Sequence, residues 1–317
     1  VIPYINETEA AAALGEPTAF RLAEETFRLL AAGRVRMPAK MYLTLAGGDD
    51  FRAMPAAYSS PKGSAAGIKW VSVHPKNPAR GLPTVNGTIL LNSAETGELL
   101  AVVAANGITA LRTAAAAAVA AKHLANPNPV RLAIVGAGLQ ARYQLRALEA
   151  IFRFQSASVW GFLPGEAERF CGKYGSASLR LTPARDVRRC VEDADIVVTC
   201  TPSRRPLVRK AWIKAGAHVN AIGADAQGKE ELEPALVLSS KVVVDDWEQA
   251  SHSGEINVPV ARGLFKRHDL KADLAQVVAG KKKVRTRPSD VTIFDSTGIA
   301  ALDLYFARYV YDARSRR

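Results

Sequence analysis

The sequence predicts an α/β protein: a Rossmann-type, doubly wound parallel sheet joined to an α+β domain. Three observations lead there. From Arg131 to Asp295, short β-branched runs alternate with helical patterns, as a parallel sheet with crossover helices requires. The first run, Arg131-Leu-Ala-Ile-Val135, ends in Gly136-Ala-Gly-Leu-Gln-Ala141, a Gly-x-Gly-x-x-Ala turn that opens a helix. The first 126 residues, by contrast, show mixed strands separated by Gly and Pro clusters and no such turn.

Taken in order, residues 8–32 read as helical, with an amphipathic stretch at 20–30 closed by Gly33. Strands are expected at 40–45, 67–73 and 88–92. The alanine-rich run 113–124 predicts a tightly packed helix leading into the second domain, because alanine forms helix readily and lets backbones approach. Further strands are expected at 131–135, 157–162, 195–200, 217–222, 241–245 and 291–295. Helices are expected between them at 166–174, 184–193 and 206–215. A last amphipathic helix, 299–311, is expected to return to the first domain. The domains are therefore 1–126 with 296–317, and 127–295.

Bulk properties narrow the function. The chain has 317 residues, 48% hydrophobic and 23% charged, which suits a globular protein. No run approaches the ~18 apolar residues of a membrane span, and residues 1–16 lack the pattern of a secretory leader. Three cysteines, Cys171, Cys190 and Cys200, without CxxC spacing, suggest reduced thiols and a cytoplasmic setting. The net charge of +12 concentrates at 281–287 and 314–317. Basic runs of this kind can contact phosphate, but here no aromatics are interleaved. Neither nucleic acid nor membrane is expected as a partner.

The Gly-rich turn carries the most specific chemistry. Gly136 permits the tight turn, Gly138 lets a pyrophosphate approach the backbone, and Ala141 lets the helix pack closely on the sheet. The helix N-terminus then offers N–H groups and a positive dipole end to the phosphates. Loops at the C-terminal ends of neighbouring strands face the same crevice. These carry Thr201-Pro-Ser203, Asn220-Ala-Ile-Gly-Ala-Asp225 and Asp295-Ser-Thr-Gly298. Asp225, among small residues, is placed to act as acid or base. In the N-terminal domain Lys40, Arg52, Lys69 and Arg112 lie among apolar or turn residues and together suit a small anionic substrate. Lys69 sits in buried-strand material, where an ammonium loses its proton readily. Histidines 74, 123, 218, 252 and 268 have no ligand spacing, so no metal site is expected. The absence of a Gly-x-Ser-x-Gly elbow leaves hydrolase chemistry unsupported.

These residues together resemble the ornithine cyclodeaminase/μ-crystallin family, and within it the archaeal-type alanine dehydrogenases. The likeness runs through Met37-Pro-Ala-Lys40, Phe51-Arg-Ala-Met-Pro55, Gly67-Ile-Lys-Trp-Val71, His74-Pro75, Gly81-Leu-Pro-Thr-Val85 and Leu111-Arg-Thr113. It continues in the Gly136–Ala141 turn, Thr201-Pro-Ser-Arg204, Asn220–Asp225, Gly254-Glu-Ile-Asn257 and Ile293-Phe-Asp-Ser-Thr-Gly298.

The resemblance implies an NAD- or NADP-dependent oxidoreductase and a homodimer, with the N-terminal domain and C-terminal helix as the substrate-binding and dimerisation domain. Its reaction interconverts a small L-α-amino acid, alanine first, with its 2-oxo acid and ammonia. A cyclodeaminase, a cyclic ketimine reductase, or a non-catalytic NADPH-binding crystallin-like protein would share the scaffold. The resemblance also implies that Lys69 and Arg112 hold the substrate carboxylate, that Lys40 and Arg52 complete the site, and that Asp225 transfers protons. Cofactor contacts are expected from Thr113, Gly136, Ala137, Gly138, Leu139, Gln140, Thr201, Ser203, Ile222, Gly223 and Ser296.

Two departures from the family pattern matter. Ornithine cyclodeaminases carry a glutamate where this chain has Arg52, and a cation there repels a second ammonium. At about 4 Å and an effective dielectric near 20, that repulsion is about 4 kcal/mol before screening. Gly161 stands where NAD-preferring relatives place an acid against the ribose 2′-OH. No Arg or Lys lies in 161–165 to greet a 2′-phosphate, although Arg142 could reach one. The choice between NAD and NADP stays open on these residues.

Overall fold

A computed structural model describes residues 1–314 of the chain. It divides into two compact units, residues 1–113 with 299 onward, and residues 114–298. The first division falls inside the alanine-rich helix rather than after residue 126. The alanines from 114 onward are packed as core residues, as the tightly packed helix read from the sequence requires.

The first unit is built on a seven-stranded sheet. Its strands are β1 (Tyr4–Ile5), β2 (Val35–Arg36), β3 (Met41–Thr44), β4 (Asp50–Ser60), β5 (Gly63–Val73), β6 (Val85–Asn92) and β7 (Leu99–Ala104). The spatial order is β1-β7-β6-β5-β4-β2, with β3 also paired to β4. Strands β4 and β7 were not expected from the sequence. In β4, Pro55 argues against a central strand because it donates nothing to a ladder. The structure resolves this: β3 pairs with residues 50–53 and β2 with 57–58, so Pro55 falls in the gap between them.

Helices α1 (Glu7–Ala13), α2 (Glu16–Ala31) and α11 (Ala300–Arg314) belong to this unit. An Asn6–Glu9 capping box starts α1, and Gly33 follows α2 in the left-handed region. Helix α3 (Asn106–Leu124) begins here, its first N–H groups donating to the Glu7 carboxylate at 2.8 and 2.9 Å. The last helix was expected to be amphipathic, but it is buried from Ala300 to Ala307 and packs on β5, β4 and α2. One residue lets it do so. A Cβ on Gly67 would collide with the Leu90 carbonyl oxygen and come within 2.8 Å of the Leu304 side chain.

The second unit is a doubly wound sheet of eight strands, every pair parallel. These are β8 (Arg131–Val135), β9 (Ser156–Trp160), β10 (Arg180–Pro183), β11 (Ile196–Thr199), β13 (His218–Ala221), β15 (Lys241–Val244), β16 (Ala272–Asp273) and β17 (Thr292–Asp295). Their order is β10-β9-β8-β11-β13-β17-β15-β16, so the winding reverses between β8 and β11. That reversal is where ligands bind in open α/β sheets. The crossover helices are α4 (Leu139–Glu149), α5 (Glu166–Tyr174), α6 (Val187–Val191), α7 (Pro234–Ser239), α8 (Trp247–Ser253), α9 (Asn257–Ala261) and α10 (Leu274–Val278).

The helix expected at 206–215 does not form. Residues there make strand β12 (Arg204–Val208), which pairs with β14 (Glu230–Leu232), and then a 3₁₀ turn at Lys210–Trp212. The apolar spacing read as helical serves a two-stranded side sheet instead.

The basic run 281–287 is not simply a solvated loop. Val284 is buried, and Arg285 turns inward to donate to the carbonyl oxygens of Leu124 (2.7 Å) and Asp290 and to the Thr292 hydroxyl (3.0 Å). Of the terminal cluster, Arg314 reaches Glu9 at 3.6 Å, and residues 315–317 lie outside the described residues. No helix among the described residues is long and apolar enough to cross a membrane.

Gly67→Val should destabilise the protein by about 3 kcal/mol or more, since it overpacks both the β5–β6 ladder and the seat of α11. Denaturant unfolding monitored by circular dichroism measures this; a loss under 1 kcal/mol would contradict the packing described.

Candidate functional site

The first unit gathers cations on the inner face of its sheet. Strand alternation places Arg52 and Met54 of β4 and Lys69 and Val71 of β5 on that face, with Met54 directly opposite Lys69. Lys69 is 2% exposed, and its Nζ lies 2.7 Å from Asp303 Oδ2. Asp303, on α11, also accepts from Arg112 Nε of α3 at 2.8 Å. One buried carboxylate therefore bridges two buried cations from different elements. The Thr109 hydroxyl, one helical turn before Arg112, stands 3.5 Å from Lys69 Nζ.

Arg52 has its own acid: Asp50 Oδ1 and Oδ2 accept from Nε and Nη2 at 2.7 and 3.1 Å. The Tyr42 ring lies 5.2 Å from the Arg52 guanidinium and 5.9 Å from Lys40 Nζ. The cluster thus sets four cations, Lys40, Arg52, Lys69 and Arg112, against the carboxylates of Asp50 and Asp303, all buried. Sequence reasoning found the four cations and missed both acids and Tyr42. Asp303 was invisible because it reads as one polar residue in a terminal helix, 191 residues from Arg112 along the chain.

Burial sets the protonation here. Desolvation first, then the positive charges of Arg112 and Lys40, push the Lys69 ammonium down to about 7, although Asp303 pulls the other way. Asp303 stays below the usual carboxylate range. Burial alone would raise it, but Arg112 and Lys69 together outweigh that.

In the second unit the three positions of the Gly-rich turn have separate roles. Gly136 has φ +120°, and a Cβ there would meet the Cys200 carbonyl oxygen at 2.9 Å. Its N–H donates to the Trp160 carbonyl at 2.8 Å, tying the turn to the end of β9. Gly138 caps α4, and the space a Cβ would take is open. Ala141 is fully buried against the sheet. Leu139 is exposed, and Gln140 Oε1 and Ser296 Oγ are buried acceptors without a hydrogen-bond partner. The open N-terminus of α4, with no side chain at Gly138 to block it, fits a dinucleotide pyrophosphate.

The loops that follow β11 and β13 are held by an acid the sequence did not reveal. Glu231 on β14 accepts from the Thr201 N–H (2.6 Å), the Thr201 hydroxyl (2.7 Å) and the Gly223 N–H (2.9 Å). Gly223 must be glycine, since its Cβ would overlap the Thr201 carbonyl oxygen. Glu255 in turn accepts from the backbone of Glu231 and Leu232. Burial first, and the neighbouring Glu231 next, raise Glu255 well above the usual carboxylate range. Asp245 does the same service after β17, accepting from the N–H groups of Thr297 and Gly298.

Other expected residues are placed as follows. Asp225 is half-buried in the loop after β13, and Lys229 Nζ lies 2.6 Å from its Oδ1. Ile222 is buried, and Ala137 lies between the two turn glycines. The Thr113 hydroxyl donates to the Thr109 carbonyl and the Ser203 hydroxyl to the Arg205 carbonyl. Arg142 stacks over Tyr143 and Tyr174.

The remaining reactive side chains are structural. His218 is buried between Thr292 and Asn220, and desolvation pushes it down to about 3. Burial raises all three thiols, Cys171 to about 11 and Cys190 to about 12. Among the described residues no group of His, Cys, Asp and Glu forms a metal site.

The chain matches known proteins over nearly its whole length. The model of the ornithine cyclodeaminase/mu-crystallin family matches residues 7–317. Alanine dehydrogenase of Archaeoglobus fulgidus is 43% identical over 312 residues, covering 97% of this chain and 94% of the relative. Among solved structures, an archaeal alanine dehydrogenase dimer with bound NAD superposes with a TM-score of 0.94 at 40% identity, over 99% of this chain and 97% of that one. Delta(1)-pyrroline-2-carboxylate reductase of Thermococcus litoralis, solved with NADH and L-proline, gives a TM-score of 0.94 at 30% identity over the same shares.

The state of Lys69 has a consequence for stability. Its folded value, about 7, lies below the ordinary 10.5. Between these the unfolded chain binds the extra proton, so this group's contribution to stability rises with pH across the window and is least favourable below 7. Unfolding free energies of the wild type minus those of Lys69→Met, measured from pH 7 to 9.5, should increase with pH. A flat difference would show that Lys69 is not held neutral.

Proposed function

The chain belongs to the ornithine cyclodeaminase/mu-crystallin family, and on that footing we propose that it is an NAD(P)-dependent oxidoreductase interconverting a small L-α-amino acid, alanine first, with its 2-oxo acid and ammonia. The observation that carries this is the buried cation cluster. It gathers Lys40, Arg52, Lys69 and Arg112 about the carboxyls of Asp50 and Asp303, and it contains a lysine whose proton is loosely held near neutral pH.

A substrate carboxylate fits that cluster through Arg112. Asp303 engages Arg112 through Nε, on one edge of a guanidinium with five N–H donors, so donors remain for a second carboxylate. Neutral Lys69 takes a proton from the substrate ammonium, leaving the amine whose lone pair drives loss of hydride from Cα. A bound nicotinamide dinucleotide supplies the hydride acceptor, and Gly136, Gly138 and the first turn of α4 would hold its pyrophosphate. Asp225, paired with Lys229, moves the proton of the water that hydrolyses the imine.

A second reading has one observation in its favour. Asp50 forms a two-point ion pair with Arg52, which offsets the repulsion that Arg52 would exert on a diamino acid. Ornithine is therefore the second substrate to test, followed by cyclic imines.

The homodimer reading is supported by the outer face of the first unit's sheet. There Met41, Ala53 and Trp70 lie on one rung and Pro55, Ile68, Leu90, Val102 and Tyr4 on the next. Met41, Trp70 and Tyr4 are 70%, 43% and 60% exposed, an apolar sheet face of the kind subunits bury.

Pyruvate and ammonia should oxidise NADH or NADPH in the presence of the purified protein, followed at the reduced-nicotinamide absorbance. Lys69→Ala and Asp225→Asn should each lose on the order of 10²–10⁴-fold in kcat, with dinucleotide affinity retained. Wild-type turnover in either folded variant would reject its assigned role. Silence with pyruvate, ornithine and cyclic imines alike would favour a ligand-binding protein.

A further inference from the structure

The end of strand β9 holds a feature that bears on which dinucleotide is taken. Rossmann domains that prefer NAD present a carboxylate to the ribose 2′-OH close to the end of their second strand. Here that position is Gly161, and no side chain can stand there: a Cβ would come within 2.6 Å of the Glu166 Cβ and 3.0 Å of the Ala167 nitrogen. What fills the space is Glu166 itself, the first residue of α5. Its Oε2 lies 3.3 Å from the point where the Gly161 Cβ would be, and it accepts from the Leu163 N–H at 2.9 Å. The carboxylate is thus folded back from the helix onto the strand end. The Gly136 N–H binds the carbonyl of Trp160, the residue just before Gly161, so this strand end adjoins the Gly-rich turn.

We propose that Glu166 supplies the ribose-reading carboxylate that Gly161 lacks, and that the chain therefore prefers NAD(H) to NADP(H). This rests on the dinucleotide reading above. Leu163 occupies one acceptor direction of a carboxylate that has about four, which leaves capacity for ribose hydroxyls. A 2′-phosphate at the same place meets a like charge, with no Lys or Arg in Gly161-Phe-Leu-Pro-Gly165 to offset it. Glycine at 161 and glutamate at 166 are coupled, since the glutamate takes this position only because the glycine has no side chain. A cation does lie against this loop: Arg169, whose Nη1 is 2.7 Å from where a Cβ on Gly165 would be. It offers the contrary reading, a seat for the 2′-phosphate.

Fluorescence titrations with NADH and NADPH decide between them, using the wild type, Glu166→Gln, Glu166→Ala and Arg169→Ala, with thermal melts to confirm folding. The wild type should bind NADH at least about tenfold more tightly than NADPH, a difference of about 1.4 kcal/mol. Glu166→Gln, which keeps an acceptor for the Leu163 N–H but removes the charge, should bring the ratio close to one by gaining NADPH affinity. Glu166→Ala should do so by losing NADH affinity as well. An unchanged ratio in both variants, or a wild-type preference for NADPH that Arg169→Ala abolishes, would overturn the assignment. Binding of neither dinucleotide by the wild type would reject the dinucleotide reading itself, and this inference with it.

Discussion

The Asp303 carboxylate between Lys69 and Arg112 is the contact on which the first unit's organisation turns. Burying two cations is costly unless each is paired and hydrogen-bonded. Here a single acid meets both at 2.7 and 2.8 Å. The three partners come from β5, α11 and α3, so the ion cluster holds only if all three elements pack as they do. Gly67 gives α11 its seat beside Leu304, and Glu7 holds the start of α3. Removing the acid would strand both cations, a change of about 3–5 kcal/mol for buried pairs.

The same device recurs in the second unit. Loops at the C-terminal ends of parallel strands carry backbone N–H groups that no ladder satisfies, and buried carboxylates take them. Glu231 holds Thr201 and Gly223, Asp245 holds Thr297 and Gly298, and Asp295 accepts from the Ile256 N–H at 3.1 Å. Each is a side-chain carboxyl fixed under the backbone it holds rather than aimed into solvent. Such tethers make the crevice rigid before a ligand arrives, which preserves affinity that ordering would otherwise consume.

Much of this was legible in the sequence. The Gly136–Ala141 turn fixed the second unit because each of its small residues answers to one steric demand, and β-branched runs located the main sheet strands. The four cations stood out because each lies among apolar or turn residues. What escaped depended on distant partners. Strand β4 was hidden by Pro55, which is harmless only because β2 and β3 stop on either side of it. Residues 206–215 carried a helical spacing that β14 overrode. Asp303, Asp50 and Glu231 look like ordinary surface acids until the fold brings a cation or an orphan N–H to them. Glu166 has meaning only once Gly161 is seen to touch it.

We propose that a loosely protonated Lys69 awaits a substrate carboxylate within the buried cation cluster of the first unit. Calorimetric titration of pyruvate into the dinucleotide-saturated protein at pH 8, repeated in buffers of different ionisation enthalpy, tests it most directly. An entering anion stabilises the Lys69 ammonium, so binding should take up a proton, and Lys69→Met should bind without that uptake. Pyruvate binding with no proton uptake in the wild type, or with uptake undiminished in Lys69→Met, would contradict the account.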